Sequence, residues 1–140
     1  RKHNTDMSLK IACATSDGVH FHDGHFGDAA RYVIYDITSE RYTKINEIPN
    51  LSPEEKMHAD PRKAKSITAM MKTYGVEVLV NKRFGPNITR IRKKFVPVIV
   101  SDDKIDTALK KILQRYKEIK QAFDSVHNKS DEYEIIYIRD

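Results

Sequence analysis

Six consecutive residues, His20-Phe21-His22-Asp23-Gly24-His25, gather three of the chain's six histidines just after a short apolar segment that holds its only cysteine, Cys13. Neutral imidazole nitrogen and thiolate are among the commonest protein ligands for zinc, copper and iron. In an extended segment side chains alternate between faces, so the His-x-His spacing puts His20 and His22 on one side. His20, His22, His25 and Cys13 are therefore candidate metal or metal-cluster ligands, and Asp23 stands close enough in sequence to add a carboxylate. Loop histidines that make only local hydrogen bonds give the same pattern, and an apolar strand cysteine is commonly a small core residue. The spacing alone leaves both readings open. No general base or oxyanion donor accompanies the histidines in a defined pattern.

The thiol count narrows the chemistry. A single cysteine can neither close an internal disulfide nor supply four thiolates to an iron–sulfur cluster. A cluster bound here must arrive preassembled, with most of its coordination met by other ligands, or be shared between subunits. A net charge of +5 favours anionic partners, among them nucleic acid, phosphates and anionic metal clusters. No segment approaches the ~20 apolar residues of a membrane-spanning helix, and the opening residues carry no secretory apolar run. The expectation is a cytoplasmic protein with no membrane contact.

A chain of 140 residues suits one domain. Residues 1–8, wholly polar before Met7, read as a loose tail or foreign extension, residues 9–121 as the domain, and residues 122–140 as a linker and C-terminal strand. Residues 9–14 (Leu-Lys-Ile-Ala-Cys-Ala) form a buried-strand pattern, followed by a polar loop that carries the histidines as far as Gly27. Residues 31–37 and 41–48 are β-branched and aromatic runs around Thr38-Ser39-Glu40, a hairpin signal. Residues 50–57 read as a loop. Asp60 as N-cap and Pro61 at the first helical position then open a helix, with Ala64, Ile67, Met70, Met71 and Tyr74 on one face and Gly75 at its end. Residues 76–80 are a strand, Gly85-Pro86-Asn87 opens a short helix, and residues 95–100 are the next strand. Asp102 or Asp103 caps one long amphipathic helix reaching Ile119. A strand over residues 133–138 either joins the sheet edge or pairs with another molecule. A hairpin followed by strand–helix–strand units predicts a mixed sheet flanked by helices.

Four segments taken in order, Lys10-Ile11-Ala12-Cys13-Ala14, His25-Phe26-Gly27-Asp28-Ala29, Tyr32-Val33-Ile34-Tyr35-Asp36-Ile37 and Gly85-Pro86-Asn87, resemble the dinitrogenase iron–molybdenum cofactor biosynthesis family, the NifX-like and NifB C-terminal-like domains. The resemblance runs from about residue 9 to residue 119, and the His-Phe-Gly followed by a strand ending Tyr-Asp-Ile is its most specific part. It implies an α/β, ribonuclease H-like fold with a mixed five-stranded sheet flanked by helices, here with an extra C-terminal strand. It also implies a non-catalytic role in binding or carrying an iron–sulfur or iron–molybdenum cluster, or a precursor of one. His25 is the matching histidine. Beside it the residues themselves offer Cys13 and His22. His20 and His22 lie outside the family pattern and are either an added ligand pair or plain loop residues, while Gly27 lets the backbone approach a bulky ligand and Asn87 stands at a helix N-terminus. The partners so implied are the cluster and proteins that deliver or accept it, with a homodimer as a further arrangement. Where the family carries a Gly-Gly pair before Gly85, this chain has Lys82 and Arg83. These either grip an anionic cluster in place of amide donors or are exposed loop residues.

Two rivals remain open in the sequence. The basic run over residues 82–94, bounded by Phe84 and Phe95, suits nucleic acid, although two-metal cleavage needs clustered carboxylates and residues 9–14 and 61–74 hold none. The second rival is a mononuclear zinc or copper site built from His20, His22 and His25.

Overall fold

The computed structural model describes residues 8–54, 60–126, 128 and 131–139. The tail expected over residues 1–8 lies, apart from Ser8, outside the described residues, as do residues 55–57 of the expected loop. Six strands form one sheet in the order β3-β2-β1-β4-β5-β6. They are β1 (Leu9–Thr15), β2 (Arg31–Ile37), β3 (Tyr42–Pro49), β4 (Val78–Asn81), β5 (Val96–Val100) and β6 (Ile136–Ile138). β2 runs antiparallel to both β1 and β3, whereas β4, β5 and β6 continue parallel from β1. The architecture is mixed α/β, and the C-terminal strand joins the sheet edge. β1 lies between β2 and β4 and is covered on both faces, which is why it reads as a nearly unbroken apolar run.

Two layers of helix cover the two faces. Helix α1 (Pro61–Thr73) and the single turn α2 (Ile88–Ile91) bury Ile67, Met71 and Ile91 against Ala12, Ala14 and Leu79. Helices α3 (Ile105–Gln114) and α4 (Tyr116–Asp124) bury Leu109, Ile112, Tyr116 and Ile119 against Ile11, Cys13 and Val80. Asp60 caps α1 as its sequence demands, accepting the Arg62 amide at 3.0 Å with Pro61 following. Gly75, at φ +71°, follows the helix end. Tyr74 departs from the expected apolar face: it is the C-cap and 40% exposed. No helix among the described residues is long and apolar enough to cross a membrane.

Two further expectations are corrected. The long helix is two, broken at Arg115 (φ −111°, ψ 21°), whose guanidinium bonds the Tyr137 carbonyl of β6 and pairs with Glu118. Neither Asp102 nor Asp103 caps α3. Lys104 holds that position without a side-chain bond, Asp102 pairs with Lys111 at 3.0 Å, and Asp103 pairs with Lys82 at 2.8 Å. Lysines elsewhere compete for these carboxylates, and that competition is invisible to local spacing.

Candidate functional site

The histidine loop is held to the sheet by its apolar residues and carbonyls, and this decides where each imidazole goes. Phe21 is 4% exposed and packs with the Cys13 face of the core. Phe26, fully buried, enters the opposite face, stacked on Phe84 at 5.2 Å between ring centroids and tilted against Tyr32 at 4.8 Å. The 3₁₀ turn Phe26–Asp28 is fixed from outside. The Tyr32 hydroxyl donates to the Phe26 carbonyl (2.7 Å), and the Asn50 amide donates to the Gly27 and Ala29 carbonyls (both 2.8 Å). Asn81, fully buried at the end of β4, donates to the carbonyls of Gly24 and Arg83, both at 3.0 Å, while the Phe26 amide donates to Arg83 (2.9 Å). These bonds clasp the histidine loop to the loop that carries Gly85.

His25, at the mouth of this clasp, has a side chain 43% exposed. Its ring lies against Gly85, at φ +73°, so closely that an added Cβ would stand 2.4 Å from Nδ1, 2.6 Å from Cε1 and 2.7 Å from Cγ. Only glycine permits both that φ and that approach. The cleft beside the ring, a shallow hollow of about 20 Å³, is lined by Gly27, Asp28, Lys63, Ile67, Phe84 and Asn87 among others. Asp28 Oδ2 lies 4.0 Å from His25 Nδ1, and Asp28 Oδ1 lies 3.3 Å from Lys63 Nζ.

The other expected residues do not converge on this cleft. Cys13 is a correction to the ligand set. Strand alternation puts it on the far face of β1 from Ala12 and Ala14, it is fully buried, and burial drives its thiol far above the ordinary range. His20 is taken by Asp17: Nδ1 lies 2.7 Å from Oδ2, and the same carboxylate accepts the amides of Val19 and His20, both at 2.8 Å. The His20 and Lys104 backbones form an isolated bridge, and His20 lines a separate hollow with Phe21, Asp23, Lys82 and Asp103.

His22 is half-buried with its ring against Gly24, and its Nε2 is enclosed without a hydrogen-bond partner among the described residues. Burial holds its pKa below the ordinary histidine value, opposed by the charges of Asp28 and Asp23. Lys82 is absent from the cleft lining, its ammonium shared between Asp23 (2.7 Å) and Asp103 (2.8 Å). Arg83 is exposed, and its carbonyl is what the clasp uses. Asn87 is spent internally, donating to the Asp60 carbonyl and accepting from Arg90, and the helix after it has four residues. The helix-terminus expectation is withdrawn.

The same geometry does not favour the rivals. Among the described residues no three His, Cys, Asp or Glu are placed together to hold a metal ion. Phe84 and Phe95 are 4% and 0% exposed, so the basic run presents neither of its bounding aromatic rings for base stacking. Reasoning from sequence missed Asn81, Asn50, Asp28 and Lys63. The one signal available was an apolar strand, residues 78–80, ending in a polar Asn.

The mixed α/β sheet thus presents one half-exposed imidazole over a glycine at the edge of a small cleft. Residues 7–115 match the family model described as dinitrogenase iron-molybdenum cofactor, and the chain belongs to that family. The fold is similar to the crystal structure of a protein from Methanocaldococcus jannaschii described as a candidate dinitrogenase. The TM-score is 0.53 at 18% identity, over 79% of this chain and 89% of that one. No curated protein matches.

Proposed function

We propose that this protein binds and carries an iron–sulfur or iron–molybdenum type cluster, or a precursor of one, without transforming it, and that His25 is its ligand. The observation that carries the reading is His25 itself: a half-exposed imidazole at a cleft mouth, packed against Gly85 along its Nδ1 edge. Family membership supplies the class of cargo, an iron–molybdenum type cluster. The surroundings suit an anion. Residues 61–101 hold ten lysines and arginines against the single acid Glu77, and Arg62, Lys65, Arg83, Arg90, Lys93 and Lys94 stand exposed. Within the same reading the sheet is ribonuclease H-like, supported by β2 being the one strand that runs against the other five.

One protein donor suffices for a cluster that arrives with an open position, which fits the single exposed imidazole. The test is anaerobic titration of the metal-free protein with a preassembled iron–sulfur cluster, followed by visible absorption and metal analysis, beside His25→Ala and Cys13→Ala. Stoichiometric uptake by wild type and Cys13→Ala, lost in His25→Ala, is the expected outcome. Absence of uptake by the wild-type protein, or full uptake by His25→Ala, overturns the reading.

A further inference from the structure

We propose that Asp28 and Lys63 are positioning residues for His25. The Asp28 carboxylate favours the imidazole tautomer with its proton on Nδ1, and that leaves the Nε2 lone pair as the one offered to the cargo. Only the last clause rests on the reading of His25 as a cluster ligand, because ring orientation and tautomer belong to the metal-free chain.

The arrangement is built from three elements. In the 3₁₀ turn the Asp28 amide donates to the His25 carbonyl at 2.9 Å, and residues three apart in such a turn eclipse one another. The two side chains therefore share a side, with Asp28 Oδ2 4.0 Å from Nδ1. That separation is longer than a hydrogen bond. A proton on Nδ1 nevertheless meets a negative charge, where a lone pair would be repelled by it, and a small rotation of Asp28 closes the gap. The carboxylate is braced from behind by α1. Lys63 is only 6% exposed, its Nζ lies 3.3 Å from Asp28 Oδ1, and it donates to the Pro53 carbonyl at 2.9 Å. A lysine so deeply buried is seldom tolerated unless paired, and this one pairs with the oxygen of Asp28 that does not face His25.

Gly27 lies alongside the lysine stem: a Cβ there would stand 3.4 Å from Lys63 Cε and 3.6 Å from an Ile67 carbon, ordinary contact distances. The Nδ1 edge of the imidazole, packed on Gly85 and facing Asp28, is thus the held edge, and the exposure of the side chain falls to the rest of the ring. A carboxylate behind the non-ligating nitrogen is a general way of orienting a metal-binding imidazole and raising its basicity.

The test reads the tautomer directly, by long-range ¹H–¹⁵N correlation on the metal-free protein in alkaline solution. Wild-type His25 is expected in the Nδ1–H form. Asp28→Asn, of the same shape, moves it toward a mixture. Lys63→Met, which frees the carboxylate to swing to solvent, does the same, and Asp28→Glu retains the wild-type pattern. In the cluster titration Asp28→Asn weakens uptake by about 10–100-fold. An Nε2–H form in the wild type, or a pattern unchanged in a folded Asp28→Asn, overturns the inference. If the wild-type protein takes up no cluster while the tautomer still follows Asp28, the carrier reading falls and this one stands.

Discussion

His20 and His25 leave the same loop five residues apart and meet opposite fates. Asp17, three residues before His20, takes both its amide and its ring nitrogen, so the imidazole is spent on closing a turn. His25 makes its defining contacts with Gly85 and Asp28 and leaves part of its ring exposed. The difference teaches that the availability of a histidine is set by what occupies its neighbours and not by its spacing in a motif. One ring is consumed by a partner that local sequence supplies, and the other is held by a residue 60 positions away in a loop clasped by Asn81.

Two glycines offer the sharpest way to break that comparison. Gly18, in the turn beneath His20, and Gly85, beneath His25, both have positive φ, +81° and +73°. An added Cβ at Gly18 meets nothing within 4 Å, whereas at Gly85 it meets the imidazole at 2.4 Å. Gly18→Ala carries only the left-handed backbone penalty, about 1–2 kcal/mol. Gly85→Ala adds an overlap that the ring or the loop must yield to, a further ~1–3 kcal/mol, and displaces His25. Thermal and denaturant unfolding of the two variants measures the difference, and ¹H–¹⁵N spectra of His25 show whether the ring has moved. Equal destabilisation would mean that Gly85 serves the turn alone and holds no imidazole in place.

The next largest effect separates the two faces of β1. Cys13 points into a layer of Ile11, Val80, Ala108 and Leu109, while Ala12 and Ala14 face the core beneath the His25 cleft. Cys13→Ser puts a hydroxyl among those apolar side chains, which costs about 1–3 kcal/mol where it finds no acceptor. Cluster uptake per folded molecule is expected to match the wild type. A loss of uptake at unchanged stability would return the thiol to the ligand set.

The same division explains what the sequence made legible. Strand and helix positions were readable wherever short-range signals agree: Asp60-Pro61 opening α1, the Thr38 turn whose hydroxyl accepts the amides of Glu40 and Arg41, and the apolar run of β1. The break at Arg115 was not, because it answers to the Tyr137 carbonyl of a strand 22 residues on. In the site, His25 and Gly27 were legible from the family pattern and Gly85 as part of its loop motif. Lys63 and Asn81 were not, since a buried lysine and a buried asparagine look like surface residues until the fold supplies Asp28, Pro53 and the carbonyls of Gly24 and Arg83. Lys82 was left open between gripping an anion and standing exposed, and its ion pairs with Asp23 and Asp103 in other loops were not legible either.

The smallest expected effect concerns the third histidine of the run. Burial holds the pKa of His22 below the ordinary value, so between the folded-state pKa and the unfolded value near 6.5 the unfolded chain binds the proton that the folded chain refuses. This contribution is neutral above that window, and stability falls as pH drops through it. Asp17 adds a loss at lower pH. Its carboxylate, held far below the usual range chiefly by the His20 amide, keeps its stabilising charge until the solution reaches the carboxylate range of the unfolded chain. Denaturant titrations across pH should therefore show two descending steps. His22→Gln should flatten the upper step and leave the lower, and Asp17→Asn should shrink the lower step, to which the lowered carboxylates of Asp23, Glu47 and Asp106 also contribute, and leave the upper. An upper step that survives His22→Gln would move its origin to another histidine and detach the buried ring from the loop's stability.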